Sequence, residues 1–129
     1  MSNVAIKKKR PVYLNLVQIR LPLPGFVSIL HRISGALLFL SAVWLLFMLD
    51  RSLGSEAGFE STKRYLSFPI VKLALLGLIW AYCHHFCAGI RYLFLDLDKG
   101  TDLAAARLTS WIVLAASLAF TAYFGARLW

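Results

Sequence analysis

Two polar clusters lie inside otherwise apolar stretches of this 129-residue chain. The first is Ser28-Ile29-Leu30-His31-Arg32-Ile33-Ser34-Gly35. Ser28 and Arg32 are four apart and Gly35 is three further on, a spacing that shares one helical face. A hydroxyl and a guanidinium on one face suit an anionic or carbonyl-bearing ligand, because the Arg fork donates two parallel hydrogen bonds. The plainer role for the same residues is a membrane anchor, with Arg32 reaching lipid phosphate and Ser28 capping the helix. The second cluster is His84-His85. Adjacent residues on a helix point about 100° apart, so one metal does not easily take both. An imidazole in an apolar helix can ligate haem iron through Nε2 when Nδ1–H is bonded to a carbonyl. Gly89, four residues after His85 on the same face, would leave room for a flat macrocycle or a close helix. The plainer role is a histidine hydrogen-bonded to a neighbouring helix. No second axial ligand is evident: His84, His31 or a partner subunit would have to supply it. His31 sits near a helix start, and His85 lies about 9 Å below Arg91 by helical rise. A ligand from a partner is the cleaner geometry.

The elements that must position these residues follow from composition. Hydrophobic residues make up 60% of the chain and the mean hydropathy is +0.70, which places a single domain of this length in lipid. A span needs roughly 20 apolar residues, and three segments qualify: 28–49, 69–93 and 108–126. The expectation is an all-α membrane protein, residues 1–129 forming one domain of three transmembrane helices. Residues 1–27 would form a segment on the cytoplasmic surface, where Pro22, Pro24 and Gly25 break any helix. The connections Asp50–Phe68 and Asp96–Arg107 read as loops too short for a soluble domain. Ionisable groups inside spans are costly and usually functional, which is why the two polar clusters draw attention.

Net charge is +8, with Lys7, Lys8, Lys9 and Arg10 ahead of any apolar run. A membrane-flanking cluster explains that run better than nucleic acid binding. Lys7, Lys8, Lys9, Arg10 and Arg20 fall on the same side as Arg91, Lys99 and Arg107. Arg51, Lys63, Arg64 and Arg127 fall on the other. Eight against four predicts a cytoplasmic N-terminus and a C-terminus on the far side. Trp111, Tyr123 and Trp129 suit an aromatic belt at the ends of the third helix. Cys83 and Cys87, four apart in an apolar stretch, read as reduced packing residues. The basic start is too far from the first apolar run for a cleavable signal peptide, and no Arg- and Ser-rich transit peptide is visible. The latter point favours a bacterial inner membrane over an imported organelle precursor.

Two blocks carry a resemblance to a known family. One is Arg10-Pro11-Val12, then Leu16, Leu23 and Ser28-x-x-His31-Arg32-x-Ser34. The other is His85-Phe86-Cys87-Ala88-Gly89-Ile90-Arg91, followed by Asp96. With the chain length, the three-helix plan and Gly58-Phe59-Glu60 in the first connection, the sequence resembles the cytochrome b subunits of succinate dehydrogenase, the larger anchor of complex II. It departs from the usual pattern at Tyr92, Leu95 and Asp98. The resemblance implies that His85 is the axial ligand to haem b iron, with the other ligand from a companion anchor subunit. It implies that Ser28 and Arg32 line a ubiquinone pocket, and that His31 and Arg32 lie where the haem propionates are held. Iron–sulfur and flavoprotein subunits would be the soluble partners, and membrane lipid the solvent. His84 carries no role in the family.

The implied activity is the last step of succinate:ubiquinone oxidoreduction within the tricarboxylic acid cycle and aerobic respiration. The chain alone should not oxidise succinate, because it has no flavin fingerprint and no cysteine set for iron–sulfur clusters. Two other readings remain at this stage: an anchor of a related fumarate reductase, or a haem-free membrane scaffold that docks soluble proteins.

Overall fold

The computed structural model describes residues 19–128. The basic run at Lys7, most of the expected surface segment, the Arg10–Leu16 part of the first family block, and Trp129 lie outside the described residues. Four helices follow in order: α1 Leu23–Gly54, α2 Glu56–Leu66, α3 Pro69–Asp96 and α4 Leu103–Gly125. The described residues contain no strand.

Helix α1 begins earlier than expected. Pro24 and Gly25 do not break it; they form its first turn, with Gly25 N–H donating to the Pro22 carbonyl at 2.9 Å. A proline in the first turn gives up an N–H that has no helical partner anyway, and its φ is already helical. Residues 23–27 therefore belong to the helix that carries Ser28 and Arg32. At 32 residues, α1 is about 48 Å long and outruns a hydrocarbon core of about 30 Å.

The first connection is not a loop. Ser55 caps α2, its Oγ accepting from the Gly58 N–H at 3.0 Å, while Glu56 sits in the first turn and Lys63 and Arg64 in the last. Both charges complement the helix dipole. Gly58 packs so closely on the Arg51 carbonyl that a side chain there would meet backbone, so α2 folds tightly back on the end of α1. The second connection opens with a Schellman turn: Lys99 N–H donates to the Phe94 carbonyl and Asp98 N–H to the Leu95 carbonyl, both at 3.0 Å. Asp98 takes the left-handed position at φ 56°, and Gly100 follows at φ 75°.

Helices α1, α3 and α4 are each long and apolar enough to cross a membrane. Their large side chains point outward: Phe39 is 79% exposed, Val43 75% and Ile70 74%. Such a surface would aggregate in water and belongs in lipid. The interior is small and partly polar. Val27, Ala88 and Val113 form the apolar centre, one from each spanning helix, and Ser34, Ser110 and Ser117 are fully buried beside it. Each serine hydroxyl donates to a carbonyl of its own helix, at 2.9, 2.7 and 2.9 Å in turn. These small residues let the backbones approach closely, which is how helices associate without a hydrophobic driving force. Helix α3 packs against both α1 and α4, and α1 also meets α4.

Candidate functional site

The α1–α3 groove brings together His31 and His85. Both rings are half-buried; they stack with centroids 4.2 Å apart and planes 9° from parallel. His85 Nδ1 lies 3.1 Å from the His31 carbonyl. A carbonyl only accepts, so Nδ1–H is the donor and Nε2 carries the free lone pair. Ser34 Oγ donates to the same carbonyl at 2.9 Å and sits 3.4 Å from Nδ1. The tautomer of His85 is therefore set by the first turns of α1, and Nε2 has no hydrogen-bond partner among the described residues.

The glycine that makes this possible is Gly35. A Cβ there would stand 2.8 Å from His85 Cε1, closer than side chains tolerate. The expected cradle at Gly89 is looser: a Cβ there would be 3.8 Å from His31 Nε2, an ordinary contact. Ser34 and Gly35 lie one turn beyond His31, so the spacing of the first cluster already held this groove. Ser34, read from sequence as a packing position, also approaches the His85 ring.

The His31–His85 stack answers one question left open by the sequence. Two imidazoles lying face to face cannot bracket one metal ion between their Nε2 atoms, so His31 and His85 do not form a bis-histidine site in this arrangement. His84 does not join them. It is fully buried, stacked on Trp80 with centroids 5.4 Å apart, and turned into the three-helix core. The Val27 backbone is near its ring but outside hydrogen-bonding geometry, so both nitrogens lack a partner among the described residues. The contacts Arg91–Thr109, Ala88–Val113 and Leu76–Gly125 set the antiparallel register of α3 and α4, and that register brings His84 level with Ser117.

Ser28 and Arg32 stand in the first three turns of α1, Ser28 half-buried and Arg32 exposed. They lie at the same end of α1 as His31, and neither is hydrogen-bonded to His85 among the described residues. Tyr92 is a residue the sequence did not assign to the site: its ring lies 5.0 Å from that of His31, and its buried hydroxyl has no partner among the described residues. Among those residues no group of three His, Cys, Asp or Glu comes together as metal ligands.

The residues present fit a haem. One imidazole presents a free Nε2, its Nδ1–H is tied to a carbonyl in the usual outer-shell arrangement, and a glycine clears the space beside its ring. The profile of the succinate dehydrogenase/fumarate reductase transmembrane subunit family matches residues 6–124. A succinate dehydrogenase cytochrome b556 subunit of Rickettsia felis is 33% identical over 119 residues, covering 90% of each chain. Its counterpart in Coxiella burnetii is 32% identical, covering 94% of this chain and 98% of that one. The Paracoccus denitrificans subunit of the same name is 30% identical, with 84% of each chain covered. With its three apolar helices and a match over almost its whole length, the chain belongs to the succinate dehydrogenase/fumarate reductase transmembrane subunit family.

Proposed function

We propose that this chain is the haem b-binding membrane anchor of a succinate:ubiquinone oxidoreductase, with His85 as one axial ligand and Ser28 and Arg32 lining the ubiquinone site. The observation that carries the reading is the His85 tautomer: Nδ1–H donates to the His31 carbonyl and leaves Nε2 free. The relatives' name, cytochrome b556 subunit, supports haem b as the group it binds. The second ligand would come from the companion anchor subunit, a reading supported by the His31 ring being stacked on His85 and by the burial of His84 in the core.

When bound, haem supplies one-electron redox chemistry; this chain's residues position it and the quinone. Ser28 donates its hydroxyl to a quinone carbonyl. Arg32 places its fork beside that carbonyl and the nearby propionates, where a fixed cation in a low-dielectric site favours negative charge as it develops. The apolar faces of α1 and α3 keep water from the groove. The iron–sulfur and flavoprotein subunits dock on the cytoplasmic side and deliver electrons from succinate. The N-terminus is cytoplasmic and the membrane is the bacterial inner membrane.

Assays of the purified complex test this. Arg32→Leu should slow ubiquinone reduction at least about tenfold, the loss expected for one charge-assisted hydrogen bond. Succinate oxidation with a soluble artificial acceptor should stay intact. Equal loss of both activities would remove Arg32 from the quinone site.

A further inference from the structure

Among the described residues, Arg91 is a buried cation without a counter-charge. It is 7% exposed, near the end of α3 that also carries the turn to α4. Its Nε–H donates to Thr109 Oγ1 at 3.0 Å, and Thr109 donates onward to the Ala105 carbonyl at 2.9 Å. The Tyr92 ring lies 5.6 Å from Arg91 Cζ. The Nη groups have no hydrogen bond among the described residues, and no carboxylate comes within ion-pair distance there; the ion pair found is Lys63–Glu60, on α2. Residues 1–18 contain no Asp or Glu, so that segment brings none. A guanidinium withdrawn from water without an anion is strongly unfavourable.

The guanidinium lines a cavity of about 200 Å³ between α3 and α4, with Lys99 at the mouth and Ile90, Phe94 and Ile112 along the wall. Those three apolar residues are exposed on the outer surface of the spanning helices. The cavity thus combines a fixed fork in its depth, a mobile cation at its mouth, and an apolar track running from the charges into the membrane. It lies at the same end of the bundle as Ser28 and His31 but opens between α3 and α4, whereas His85 faces α1.

We propose that this cavity holds the phosphate of an anionic membrane phospholipid, with Arg91 and Lys99 on the headgroup and an acyl chain along Ile90, Phe94 and Ile112. Basic pockets between spanning helices bind headgroups in this manner, and a guanidinium fork matches two phosphate oxygens. A carboxylate from a companion subunit would satisfy the charge but not the apolar track, which continues into hydrocarbon.

The test uses the whole purified complex, stripped of lipid in detergent. It is titrated with phosphatidylglycerol, phosphatidylcholine or inorganic phosphate; retained lipid is counted by native mass spectrometry and stability followed by thermal unfolding. Phosphatidylglycerol should be retained and raise the melting temperature, while phosphatidylcholine and phosphate do neither. Lys99→Gln, at an exposed position that should not disturb folding, should weaken phosphatidylglycerol retention about fivefold. Arg91→Lys, which keeps the charge and loses the fork, should bind more weakly than wild type. Equal retention of phosphatidylglycerol by wild type and Lys99→Gln would overturn the proposal. So would a full thermal shift from phosphate or phosphatidylcholine, or a cross-link from Lys99 to a companion subunit's carboxylate that survives lipid addition.

Discussion

His84 and His85 are sequence neighbours in opposite surroundings. His85 reaches the α1 groove, where the His31 carbonyl takes its Nδ1 proton. His84 is sealed in the core with neither nitrogen satisfied among the described residues. That difference was half legible in the sequence. The family resemblance singled out His85 as the candidate ligand, but no local pattern says that His84 points inward, because the surrounding residues are apolar on every face. The energetics separate the two. A buried polar group without a partner gives up its hydration for nothing, so replacing it by an apolar group of similar volume is close to neutral or stabilising. His84→Leu should therefore leave the complex assembled, with an unchanged haem spectrum and a melting temperature equal to or above wild type. Loss of haem in that variant, with His85 intact, would transfer the ligand role to His84.

At the scale of elements, the long helices were legible because uninterrupted apolar runs of span length have few other readings. Helix α2 was not. Gly54, Gly58 and the mixed charges of the Asp50–Phe68 connection read as a loop, while the signals that form the helix are the Ser55 cap and the ordering of Glu56 before Lys63 and Arg64. Pro24 misled for the opposite reason: a proline that breaks a helix interior is well placed in its first turn. The site itself depends on how closely α1 and α3 approach. Gly35 sets that distance, since a Cβ there would stand 2.8 Å from His85 Cε1. Gly35→Ala should force the ring or the helix to shift, at an overpacking cost of about 1–3 kcal/mol. The expected readout is a displaced haem absorbance band or midpoint potential with the complex still assembled. An unperturbed spectrum and potential would mean that the groove opens freely and does not hold His85.

At the scale of the molecule, the described residues form three spanning helices with a thin interior and an exposed apolar surface. The interior is small and partly polar, and on the proposed reading the rest of the haem and quinone environment would be supplied from outside the chain. The proposed orientation rests on the eight-to-four asymmetry of Lys and Arg. Alkaline phosphatase fused to the C-terminus should accordingly be active and a fluorescent protein fused there dark; the reverse pattern would invert the topology and move Ser28 and Arg32 away from any cytoplasmic partner. The most direct test of the account is the reduced-minus-oxidised spectrum of the purified complex carrying His85→Ala. The wild-type complex should show a b-type haem and the variant should lose or strongly loosen it. Retention of a normal reduced haem spectrum in His85→Ala would contradict the assignment.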